Sequence, residues 1–227
     1  MQITRKPLGG SLRALVAATV LALLAGLALA PASQALPGKF WGIVPQGLPA
    51  PEAFERMKRG GVDSVRIPIY WGSAQAGPGA TPNFATVDDA FLRAAAAGLD
   101  VLPFVYGAPA WAVPSKPVPG SGGSVQAPLR LPASGAAGQA WAAFLKLAVA
   151  RYGPNGSFWA ENPALAPRPV RAWQIWNEQN FKYFVVKPNP VEYGKLVRIS
   201  HAAIKSVDPG AKLLLGGMFA RPKEAEF

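Results

Sequence analysis

Cysteine is absent from the 227 residues, and histidine occurs once, at His201. Without cysteine there is no disulfide framework, no zinc–thiolate site and no thiol nucleophile. One histidine rules out a histidine-rich metal site and any mechanism that passes protons between imidazoles. No metal and no cofactor is therefore expected. Acids are also scarce, 12 Asp and Glu against 23 Lys and Arg, yet they are the only general bases left in number. The basic surplus has no block of five or six like charges and no nucleic-acid motif, so no nucleic-acid partner is expected. It reads as a solvated surface, with attraction to an acidic polysaccharide as a lesser use.

The N-terminus has its own pattern. Arg5, Lys6 and Arg13 precede an apolar run from Ala14 to Ala30, and Ser33-Gln34-Ala35 places small residues at positions −3 and −1. That is the layout of a secretory signal peptide over residues 1–35, cleaved before Leu36. The expected location is outside the cell or in its envelope, with membrane contact only through the transient peptide. The competing reading is an uncleaved anchor, because a run of 17 residues is at the short end of a spanning helix. Cleavage lowers Lys plus Arg from 23 to 20 against an unchanged 12 acids, leaving the remainder at about +8.

Strands and helices then alternate. Lys39 to Val44 reads as a first strand, and Pro49 and Pro51 open a helix closed by Gly60-Gly61. Val62 to Trp71 is a second strand. Thr86 with Asp89 resembles a capping box for a helix that buries Val87, Phe91, Leu92 and Ala95. Asp100 to Tyr106 is a third strand, and Trp141, Phe144, Leu145, Ala148 and Tyr152 stripe a helix. A fourth strand begins at Val170. Tyr193, Leu196, Val197, Ser200, Ile204 and Val207 mark another helix, and Lys212 to Phe219 a fifth strand. Such alternation means a parallel sheet with helices packed outside it. The Pro-rich connection Ala108–Ala137 follows a strand and holds Trp111. The connection 153–169 follows a helix, so its Glu161 falls at the opposite end and reads as solvated.

The stretch VRAWQIWNEQN, Val170 to Asn180, carries the chemistry. It ends a buried strand in Asn177-Glu178, and a carboxyl group walled by Trp173 and Trp176 is partly desolvated, which suits a general acid near neutral pH. Ile175-Trp176-Asn177-Glu178 resembles the acid/base signature of the clan A retaining glycoside hydrolases, nearest to family 39 and to the cellulase-like family 5. Gln179 departs from the pattern, where a proline commonly follows the glutamate. The resemblance implies an α/β fold, the (β/α)8 TIM barrel, of which residues 36–227 look like the N-terminal part, truncated after the fifth strand. A self-contained open five-stranded α/β fold is the alternative, although no Gly-rich nucleotide turn supports it.

The resemblance further implies hydrolysis of O-glycosidic bonds in a β-linked glycan, with an oligo- or polysaccharide as the partner. Glu178 would be the acid/base and Asn177 would hold the sugar's 2-hydroxyl. The nucleophilic carboxylate would come from a seventh strand, and none is named in this chain, since Glu224 and Glu226 lie in a charged tail. The chain alone is accordingly expected to be inactive and marginally folded. Val65-Arg66-Ile67 resembles the element whose arginine supports that nucleophile. Burial of a guanidinium in an apolar strand also demands an anionic partner, catalytic or structural. Tyr106, Trp111 and Trp176 are candidate rings for stacking on sugar, while Trp71 also falls at a strand end. His201 reads as a flank or surface residue. Two other readings are a secreted carbohydrate-binding protein with a degenerate barrel and a membrane-anchored envelope protein.

Overall fold

The computed structural model describes residues 41–113 and 130–220. The expected signal peptide and its cleavage site, and Glu224 and Glu226, lie outside the described residues. Among them the chain forms strands β1 (Gly42–Ile43), β2 (Ser64–Tyr70), β3 (Asp100–Tyr106), β4 (Ala172–Ile175) and β5 (Lys212–Leu215). Six helices connect them: α1 (Pro51–Arg59), α2 (Trp71–Ala74), α3 (Ala85–Ala96), α4 (Gly135–Tyr152), α5 (Ser157–Glu161) and α6 (Pro190–Val207). The longer ones start and stop where their termini are chemically satisfied. Proline opens α1, with Glu52 in its first turn and Arg56, Lys58 and Arg59 in its last. The Asn189 side chain accepts from the backbone N–H groups of Val191 and Glu192 at the head of α6.

All pairings are parallel and the strand order is β1-β2-β3-β4-β5. That strictly sequential order is an arc of a TIM barrel. A doubly wound sheet reverses at a switch point and carries helices on both faces. Here Val65, Ile67, Ile69, Val105, Trp173 and Ile175 alternate into the helix-covered core. Their neighbours Ser64, Arg66, Pro68 and Tyr70 on β2, with Leu102, Phe104 and Tyr106 on β3 and Gln174 on β4, share the other face by register. That second face corresponds to a barrel interior, and the site forms at its carboxyl end.

Several expected boundaries shift for identifiable reasons. The second strand stops at Tyr70, because Trp71 is fully buried and starts the single turn α2, its indole N–H bonded to Gln75. The fifth strand stops at Leu215 instead of Phe219. Gly216 N–H goes to the Tyr193 phenol oxygen and Gly217 C=O accepts from Glu178 N–H, so neither continues the ladder. The capping box does not form. Asn83 caps Ala85 N–H at the head of α3, and Asp89 instead makes a 2.6 Å ion pair with Arg93. Leu92 stays exposed beside Phe91, with Ala90 and Ala94 taking the buried stripe. Val207 at the end of α6 is likewise exposed. Glu161 is exposed, as expected, and is also ion-paired with Arg151 at 2.9 Å, while Arg151 forks onto Asp88, which accepts from Tyr152 as well. This network ties α3, α4 and α5 together. His201 is exposed on α6, as expected.

Tyr193 fastens the last two strand ends. Its hydroxyl donates to Ile175 C=O at 2.8 Å and accepts from Gly216 N–H at 2.8 Å. Burial pushes this phenol up to about 12, partly opposed by the Gly216 N–H. An unfolded tyrosine ionises near 10. The neutral phenol therefore adds stability that is complete below about pH 10 and is lost as pH rises from about 10 to about 12. Tyr152 is raised too, by burial and by Asp88. Stability measured by urea unfolding is expected to fall across that alkaline window, and Tyr193→Phe to flatten the fall. An unchanged slope in Tyr193→Phe would assign the alkaline loss elsewhere.

Candidate active site

The strand that presents Asn177-Glu178 ends because Trp176 turns to a left-handed backbone, φ 69°. Glu178 is left-handed too, at φ 40°. Such conformations cost a non-glycine residue about 1–3 kcal/mol each and persist only where surrounding contacts enforce them. The contacts are present. Glu178 N–H donates to Gly217 C=O at 2.9 Å, and Glu178 C=O accepts from Phe181 N–H at 2.8 Å. Asn180 exchanges two hydrogen bonds with the Phe219 backbone. Gln179 is buried and its amide donates to Gly216 C=O. A Cβ on Gly216 would stand 2.3 Å from Gln179 Oε1 and 3.0 Å from Trp176 C=O, so only glycine allows this seam to close. The loop after β4 is thus clamped to the turn after β5.

Asn177, Glu178 and Arg66 come together. Arg66 Nη2 donates to Asn177 Oδ1 at 2.9 Å, its Nε donates to Gln174 Oε1, and its guanidinium carbon lies 3.6 Å from the Phe104 ring centroid. Gln174 passes the connection on, donating from Nε2 to Leu215 C=O at 2.8 Å. Among the described residues Arg66 makes no direct bond to a carboxylate. Two amides and an aromatic face satisfy its geometry, and the Glu178 carboxylate acts on it at longer range. Burial pulls the Arg66 guanidinium below its ordinary value, with Glu178 and Tyr106 pushing back. Since Asn177 Oδ1 is taken by Arg66, its Nδ2–H group remains to donate to a ligand. Among the described residues no group hydrogen-bonds the Glu178 carboxylate, and Glu178 is the acid whose charge reaches Arg66.

Tyr106 lies in the same cluster, 5.2 Å from the Tyr70 ring and 5.2 Å from Phe104. Burial raises both phenols, and Arg66 partly offsets the effect at Tyr106. Gly107 makes room for this pair. Its φ is 70°, and an added Cβ would fall 1.9 Å from the Tyr70 ring.

The tryptophans correct the expectation. Trp176 is fully buried, its ring 6.0 Å from Trp141 and its indole N–H donated to Phe184 C=O. The left-handed turn sends it to the helix side with Ile175, so it is a core residue and offers no surface to a sugar. Trp111 meets Trp71 edge-on at 5.5 Å and spends its N–H on Gln75 C=O, so it packs against the outer core instead of joining the groups around Glu178. Gln174 was missed, although a lone polar side chain in Trp173-Gln174-Ile175, with the same parity as Arg66 in its strand, was a signal. Tyr70, directly before Trp71, is likewise outside the expected set and joins the cluster through Tyr106.

No protein-family model matches the chain, and no curated protein matches its sequence. Solved structures do match its fold. Cel5A of Thermotoga maritima, described in complex with cellobiose, aligns at 18% identity and a TM-score of 0.52 over 80% of this chain and 52% of that one. The exo-β-1,4-mannosidase Op5Man5 of Opitutaceae bacterium strain TAV5 aligns at 16% and 0.53, over 82% and 35%. A structure described only as a glycoside hydrolase aligns at 16% and 0.55, over 82% and 56%. The chain spans about half or less of the length of each. These five parallel strands with their helices are similar to the corresponding part of clan A glycoside hydrolase TIM barrels.

Proposed function

We propose that this chain contributes the acid/base half of a retaining glycoside hydrolase acting on a β-linked glycan. The observation that carries the reading is the position of Glu178, directly beyond a buried strand at the carboxyl end of the sheet, beside an Asn177 whose amide is oriented by Arg66. In TIM-barrel enzymes side chains at this end meet the substrate. Glu178 protonates the leaving glycosidic oxygen, and after the aglycone departs the same carboxylate takes a proton from water. Asn177 Nδ2 donates to a sugar hydroxyl. A second carboxylate about 5 Å away must form and release the glycosyl-enzyme bond. Among the described residues none stands beside Arg66 and Glu178, so this group comes from outside them.

Proton NMR of the first-formed sugar tests the reading, in a form of the protein that supplies the second carboxylate. Cleavage of a β-glycoside is expected to release the β anomer first. Initial release of the α anomer, or no cleavage of any β-glycoside, would overturn it. That no second carboxylate stands beside Glu178 among the described residues favours one other reading, a binding protein without chemistry, and that reading predicts affinity with no turnover in the same assay. Export through residues 1–35 is part of the proposal; N-terminal sequencing of the extracellular protein is expected to begin at Leu36, and intact Met1 on membrane-bound protein would contradict it.

A further inference from the structure

Beyond Glu178 the chain runs Phe181-Lys182-Tyr183-Phe184. Phe181 lies almost flat on Phe219, with centroids 4.0 Å apart and planes at 9°. Tyr183 stacks with Phe181 at 6.1 Å and meets Phe184 edge-on at 5.0 Å. Phe184 in turn meets Tyr106 at 6.2 Å. A continuous row of aromatic rings thus runs from Tyr70 and Tyr106, beside Arg66, to Phe219. Most of these rings are at least half-buried, but Tyr183 is 56% exposed.

Exposure of one aromatic ring is ordinary in itself. Here the ring is held between two others on a loop whose backbone is clamped at Glu178, Asn180 and Phe219, so its orientation is set before any ligand arrives. Phe184 bridges Tyr183 to Tyr106, so the exposed ring continues the aromatic row that starts beside Arg66. We infer that Tyr183 is a stacking platform for a pyranose ring of a β-linked glycan, adjoining the bond that faces Glu178. This rests on the glycosidase reading above. An equatorially linked β-pyranoside presents a flat face of axial C–H groups, which an aromatic ring covers while a hydroxyl at the ring edge reaches the phenol. An α-1,4-linked chain coils and does not offer successive rings in one plane.

The test is a titration of the wild type, Tyr183→Ala and Tyr183→Phe with cellotetraose, xylotetraose and mannotetraose, with maltotetraose as the α-linked control. The wild type is expected to bind at least one β-linked tetramer and to ignore maltotetraose. Tyr183→Ala is expected to weaken that binding by about tenfold, in the range of one lost aromatic contact, while Tyr183→Phe retains most of it. Ring-proton shifts of Tyr183 in the wild type, on adding the same sugar, give a readout that needs no variant. Unchanged affinity in Tyr183→Ala, or an unmoved Tyr183 ring signal on binding, would overturn the platform and leave the glycosidase reading standing. Wild-type failure to bind any of the three β-linked tetramers would remove both.

Discussion

Glu178→Gln is expected to lower turnover of unactivated β-glycosides by about a thousandfold, within the usual range for loss of a general acid–base group. The change is nearly isosteric and keeps the clamped backbone, since the bonds to Gly217 and Phe181 are made by main-chain atoms. It removes a proton donor without disturbing Arg66, whose bonds go to Gln174 and Asn177. The loss should therefore depend on the leaving group. Aryl glycosides with good leaving groups need little protonation in the first step and should still form the glycosyl-enzyme, which then accumulates because water attack lacks its base. Azide should restore turnover, as a small anion needs no deprotonation, and the product should be a β-glycosyl azide. The measurement is kcat/KM across a series of leaving groups, in a form of the protein that supplies the second carboxylate. Full activity on a natural glycan would remove Glu178 from the acid/base role.

Trp176→Ala is expected to have the largest effect on stability. The side chain is fully buried against Trp141, and its removal leaves both a large cavity and an orphaned Phe184 carbonyl. Truncation of a buried tryptophan costs about 3–5 kcal/mol, against a net stability of about 5–15 kcal/mol for a domain. The urea midpoint should drop sharply, and the loop carrying Glu178 should loosen with it, because the Trp176 indole anchors that loop at Phe184. A sugar-stacking tryptophan would behave in the opposite way. An unchanged midpoint with lost glycan affinity would return Trp176 to the binding surface and refute the buried placement.

The alternation of strand and helix was legible in the sequence because apolar spacing reports which face of each element is covered. Parallel pairing then followed, since each pair of strands is separated by a helix-bearing connection. The place of Glu178 was legible for the same reason: an apolar run that breaks at Asn-Glu marks where a buried strand meets solvent. Arg66 was recognisable as a residue needing partners, although the partners were not. They lie far away in sequence and are chosen by register, which sets Phe104 opposite both Pro68 and Gln174.

Tertiary structure alone decided three further points. The left-handed backbone at Trp176 reverses the side of the sheet on which its ring falls, and spacing does not report φ. The end of β5 depends on Gly216 and Gly217 giving their backbone groups to Tyr193 and Glu178, contacts made across the chain. The row of rings from Tyr70 to Phe219 joins four separate segments, and it exists only because the loop after β4 folds against the turn after β5. Local pattern thus determined the elements and the position of the carboxylate, while its neighbours were set by strand register and loop clamping, which are long-range properties of the folded chain.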